Sequence, residues 1–209
     1  MKFSPAEHVA AVNRSLADGT RDGRDVRILT AERTFSASID DVWDALTTAE
    51  RIYRWMMPIE GDLRLGGKFQ LTGNAGGEVL ECDPPKHFAI TWGMGPSVSW
   101  VDVYLEPTSD GTELRLEHSA LVEELTGEHY LQFGPGAVGM GWEMSLMGLA
   151  EHLVQPDYVV REGDVASMDL SGFMAESSKG WRDAAIEFGE DPEQATAAAE
   201  RCRAAYAGE

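Results

Sequence analysis

The stretch Gly134-Pro135-Gly136-Ala137-Val138-Gly139 fits G-x-G-x-x-G, a pattern that cradles a pyrophosphate when a strand precedes it and a helix follows. Asp157 lies close to the distance expected of a ribose-binding acid. The setting argues against that chemistry. Glu128 to Phe133 is at best a weak strand, and the motif follows an antiparallel meander, whereas a nucleotide fold needs repeated βαβ units. The glycines are better read as loosening a helix start, whose free amides could still receive a ligand carboxylate. His118 is the second candidate. It falls at the end of a strand, on the face expected to point inward, and could move a proton or orient a polar ligand group. Glu117 and Glu81 could partner it, although strand carboxylates are usually solvated. His129 and Tyr130 lie in a long connection that could close over a ligand. There is no G-x-S-x-G elbow, H-E-x-x-H or P-loop. Cys82 and Cys202 stand alone, outside any C-x-x-C or Cys/His cluster. No catalytic residue, metal or cofactor is therefore assigned, and whether the protein turns anything over stays open.

Charge narrows the partners. With 36 acidic against 17 basic side chains, the formal charge is −19. That disfavours nucleic acid, which is gripped through clustered Lys and Arg, and an anionic membrane surface. No apolar run is long enough to span a bilayer and no leader pattern opens the chain, so a cytoplasmic protein is expected.

Elements must position these candidates. Ser4-Pro5-Ala6-Glu7 starts a helix whose apolar side is Val9, Val12 and Leu16, and a polar loop follows from Gly19 to Asp25. Val26 to Ser36 reads as a strand, and Ser38 opens two short helices ending at Pro58. From Ile59 to Val122 the period is two. Six strands are expected: 59–65, 68–72, 78–82, 87–92, 98–106 and 112–121, separated by turn residues too few for parallel crossovers. Their shared face carries Phe69, Phe88, Ile90, Trp92, Val101, Val103 and His118. Glu123 to Phe133 is expected to be a loop. Gly134 to Gln155 is the long helix, with Val138, Trp142, Leu146, Leu149 and Leu153 on one stripe to cover that face. Met140, Met144 and Met147 occupy its other side and call for a second cover. Two helices near the end of the sequence, about Ser171–Phe188 and one opened by Asp191-Pro192, are the candidates. A homodimer through the methionine face or those helices is the alternative.

The order strand, two short helices, meander, long helix resembles the helix-grip layout of the START/Bet v 1-like superfamily. Local motifs resemble its Hsp90-ATPase-activator-homologue-like branch. These are Ile39-Asp40-Asp41-Val42-Trp43-Asp44-Ala45-Leu46-Thr47, Arg54-Trp55-Met56 with Pro58, Gly66-Gly67-Lys68-Phe69, and Gly77-Glu78-Val79-Leu80-Glu81 with Pro84-Pro85. Thr91-Trp92, Gly111-Thr112-Glu113-Leu114 to His118-Ser119, and Gly141-Trp142 complete the set. The resemblance implies an α+β helix-grip fold, a curved antiparallel sheet wrapped around a long helix, here with extra helices at both ends. The expected organisation is an arm over 1–25, the helix-grip domain over 26–156 and a helical extension over 157–209. The resemblance also implies a cavity for apolar or amphipathic small molecules, which Phe69, Trp92, His118, Trp142 and Leu146 are expected to line. A polyketide cyclase or aromatase-like enzyme using His118, and a chaperone-linked or regulatory interaction module, stay open beside it.

Overall fold

The computed structural model describes residues 5–94, 97–125, 128–157, 159 and 169–208. Helix α1 (Pro5–Ala10) leads into strands β1 (Asn13–Arg21) and β2 (Arg24–Phe35). Helices α2 (Ile39–Thr47) and α3 (Ala49–Trp55) follow. The meander is β3 (Ile59–Gly61), β4 (Lys68–Leu71), β5 (Gly76–Asp83), β6 (His87–Met94), β7 (Ser97–Thr108) and β8 (Gly111–Leu121). A 3-10 turn (Val122–Glu124) precedes α4 (Glu128–Phe133) and the long α5 (Gly136–Val154). Helices α6 (Ser171–Phe188) and α7 (Pro192–Ala207) come last. The eight strands form one curved antiparallel sheet in the order β1-β2-β8-β7-β6-β5-β4-β3, an α+β helix-grip arrangement. Among the described residues no helix is long and apolar enough to cross a membrane.

Two expectations need correction. Residues 13–21 are a strand, not the continuation of a helix. The apolar spacing Val9-Val12-Leu16 mimics a helix, but β1 is polar and carries no fully buried residue. It is turned back onto β2 by Asp22 and Gly23, both at positive φ (53° and 76°), the geometry of a tight hairpin turn. The expected loop at 123–133 contains the 3-10 turn and α4.

The chain divides into two compact units. The first comprises residues 1–31, 119–147 and 168–209, and the second residues 32–118 and 148–167.

In the first unit the C-terminal helices pack on α5 around Met140. Met140 is fully buried, and the Cys202 thiol donates to its sulfur at 3.6 Å. A Cβ built on Gly139 would lie 2.1 Å from Cε2 of Trp181, and one on Gly136 would lie 3.2 Å from the Cys202 sulfur. The glycines of the G-x-G-x-x-G run thus let helices approach closely instead of loosening the helix start. The Tyr206 hydroxyl donates to the Ala137 carbonyl at 3.0 Å. Val138, expected on the covered stripe, is 40% exposed. Helix α4 is tied down from both sides: Tyr130 donates to Glu190 at 2.7 Å, and Arg201 donates to the Gln132 carbonyl at 2.7 Å. Asp191 caps α7 by accepting from the Glu193 and Gln194 amides, with Pro192 at the first turn as read from the sequence.

A buried ion pair centres this unit. Arg14 donates from Nε to Glu143 Oε1 at 2.6 Å and from Nη2 to Oε2 at 2.8 Å. It also donates to the Val9 and Val12 carbonyls at 2.8 Å, which ends α1. The Glu143 side chain has no exposure to solvent. Gly180 of α6 makes room for the guanidinium, since a Cβ there would lie 2.7 Å from Arg14 Nε.

In the second unit Ser38 caps α2 through the Asp41 amide, and the Trp55 indole donates to the Ala45 carbonyl at 3.0 Å, joining α3 to α2. The end of α5 lies hard against α3: a Cβ on Gly148 would sit 2.6 Å from the Trp55 carbonyl oxygen. One turn along both helices, Arg51 donates to His152 Nε2 at 3.0 Å while Asp41 and Asp44 hold its other end.

Candidate functional site

Directly opposed residues of antiparallel strands share a face, so the register places the inward side chains. Phe69 of β4 faces Gly77 of β5. One step inward from the Gly76–Gly93 pair, Gly77 faces Trp92 of β6. Trp92 faces Ser99 of β7. Ser99 Oγ is 2.8 Å from Nε2 of His118 on β8. One row therefore runs Phe69, Gly77, Trp92, Ser99, His118 across five strands of the second unit. Three of the residues expected from sequence fall in it.

The two intervening residues were not foreseen. Gly77 is a glycine because a Cβ would lie 1.9 Å from the Thr91 carbonyl oxygen. The β6 backbone comes close at this point, so Gly77 contributes no side chain between Phe69 and Trp92 in the row. Its signal in the sequence is a glycine interrupting a period-two strand, which marks a bulge or a close approach. Ser99 was invisible because a lone serine in a strand carries no pattern. Farther along β6 and β7, Phe88 faces Val103 and meets Trp43 of α2 edge-on at 5.9 Å, so α2 shields that end of the inward face.

The hydrogen bonds fix proton positions. Ser99 Oγ donates its one proton to the Trp92 carbonyl at 2.8 Å. It must therefore accept from His118, and the imidazole carries its proton on Nε2. Burial pushes the His118 pKa down to about 4, so the ring is neutral at physiological pH. The unfolded chain, with a histidine pKa near 6.5, takes up this proton first as pH falls. Stability is then complete above about pH 6.5 and declines towards pH 4, by about 3 kcal/mol in all. Denaturant melts across that range are expected to show the loss, and His118→Gln, which keeps a donor for Ser99, is expected to remove that part of it.

The carboxylates proposed as partners do not join the row. Glu117 neighbours His118 along the strand and so points to the opposite face, where it pairs with Arg115. Arg115 lies over the Tyr104 ring at 4.2 Å, and His87 stacks on that ring at 4.4 Å. Glu81 approaches His87 at 3.8 Å. Leu146 and Trp142 belong to the first unit, Leu146 buried and Trp142 half-buried. The His129 side chain lies outside the described residues. Tyr130 is spent on Glu190, and burial raises its pKa. His152 was not singled out either. Burial, then Arg51 and Arg54, lower its pKa, and its Nε2 lone pair receives Arg51. The G-x-G-x-x-G run follows helix α4, not a strand, which removes the dinucleotide reading.

Comparison with known proteins agrees with this architecture. The model of the family described as activator of Hsp90 ATPase homolog 1-like protein matches residues 36–154. The crystal structure of CalU16 from Micromonospora echinospora is 30% identical, with TM-score 0.65, over 84% of this chain and 99% of that one. Its solution structure is also 30% identical, with TM-score 0.63, over 95% and 97%. MLL2253 from Mesorhizobium loti is 27% identical, with TM-score 0.53, over 64% and 100%. No curated protein matches the chain. The family model spans more than half of the sequence and CalU16 is alike along nearly its whole length, so the chain belongs to the activator of Hsp90 ATPase homolog 1-like family.

Proposed function

We propose that the protein binds a small apolar or amphipathic molecule against the inward face of its sheet, at the Phe69–His118 row. The observation that carries this reading is the row itself, with the aromatic rings of Phe69 and Trp92 on the inward face and the buried Ser99–His118 polar pair at its end. Two aromatic walls favour a flat or aliphatic body, held mainly by apolar area removed from water. Ser99 Oγ keeps a second lone pair after accepting from His118, and it would receive a ligand hydroxyl or N–H. His118 holds that hydroxyl in register and supplies selectivity through it. Its low pKa makes it a weak base, which supports binding over proton-transfer turnover.

Native mass spectrometry of the protein as purified is expected to report a co-purifying small molecule. The apolar reporter anilinonaphthalene sulfonate is expected to bind at one saturable site. Trp92→Ala is expected to weaken reporter binding about tenfold, or about 1.4 kcal/mol. A wild-type protein that carries no small molecule and gives no saturable signal with the reporter would overturn the reading.

A further inference from the structure

A cleft of about 370 Å³ lies in the first unit. Its apolar wall is Ala6, Val9 and Ala10 of α1. Its polar wall is Glu176, Lys179 and Asp183 of α6, whose spacing of three and four puts them on one helix face. Arg14 and Gly180 complete the lining. The volume falls within the range of small-molecule sites.

We propose that this cleft binds a small zwitterion with an apolar tail, of the size and kind of a free aliphatic α-amino acid. Arg14 is the fixed point. Of its five N–H groups, four are taken by Glu143, Val9 and Val12, leaving one on Nη1 uncommitted among the described residues. Glu143 neutralises the guanidinium, so Arg14 offers a directed donor with little net charge. Asp183 is held by Arg182, whose Nε and Nη2 donate to its Oδ1 at 2.8 and 2.6 Å, so the charges left to a ligand among the described residues of the cleft are the Lys179 ammonium and the Glu176 carboxylate. A ligand carboxylate fits Lys179 and the spare Arg14 N–H. A ligand ammonium fits Glu176. The tail lies along Ala6, Val9 and Ala10. A simple anion meets the Glu176 carboxylate and a simple cation meets the Lys179 ammonium, so the arrangement selects for both charges on one molecule.

Amide NMR titrations of the full chain with leucine, isocaproate and isoamylamine test this, because the three probes share one branched tail and differ only in charge. Leucine is expected to give saturable shifts at Ala10, Lys179 and Gly180, with an apparent affinity about tenfold above either single-charge analogue. Lys179→Glu and Glu176→Lys, both at exposed positions, are each expected to weaken leucine about tenfold while leaving signals outside α1 and α6 in place. Equal responses to all three probes would overturn the proposal, as would no saturable leucine shift or an unchanged leucine affinity in both variants.

Discussion

Glu143→Ala is expected to lower stability by about 3–5 kcal/mol, because it leaves the Arg14 guanidinium buried without its counter-ion. The carboxylate has no solvent contact and accepts two charge-assisted bonds, at 2.6 and 2.8 Å. The Val9 and Val12 carbonyls remain, but neutral acceptors do not cancel a charge. Gly180 packs against the guanidinium, which limits how far Arg14 can retreat towards water. For a chain of this size each kcal/mol moves the midpoint by about 2–4 °C, so a thermal melt should fall by roughly 6–20 °C. Replacing both partners by apolar residues, Arg14→Met with Glu143→Leu, is expected to recover most of the loss, since an apolar pair of similar volume carries no desolvation debt. A single variant that melts within about 1 kcal/mol of wild type would show that the pair is not buried in solution.

Trp181→Ala is expected to cost about 3–5 kcal/mol, through lost burial and the cavity left against Gly139. Trp181 is completely buried, and its indole N–H has no hydrogen-bond partner among the described residues. That donor is a standing penalty of about 1–3 kcal/mol. Trp181→Phe removes it while giving up only part of the ring, so it is expected to change stability by less than about 1 kcal/mol. Chemical denaturation of the two variants separates the effects. A Phe variant as damaged as the Ala variant would mean that the indole N–H does have an acceptor.

The sheet and the late helices were legible because their signals are local and strong. Ser38 and Asp191-Pro192 mark helix starts through capping chemistry that needs no tertiary context. The β4–β8 alternation fixed which residues face inward, and Phe69, Trp92 and His118 fell where that alternation put them. Strand β1 was missed because its residues bury nothing fully, so period two left no trace; the Asp22-Gly23 pair was the signal that could have found it. Helix α5 misled in another way. It is apolar on more than one side, and a stripe chosen from spacing alone favoured Val138 over the more deeply buried Met140. The role of Ser99 was beyond reach, since it depends on a hydrogen bond between strands that only folding brings together.

The Arg14–Glu143 pair also bears on the order of synthesis. The partners are 129 residues apart in the chain. At a translation rate of about 5–20 residues per second, Arg14 is made roughly 6–26 s before its carboxylate exists. Gly180, which shapes the space around it, comes later still. During that interval the guanidinium has every reason to stay in water, and the α1–β1 segment cannot take its final place. The first unit is therefore expected to close after translation of α6, as a late event, and ribosome-bound chains stalled before residue 143 should leave Arg14 fully open to modification by phenylglyoxal.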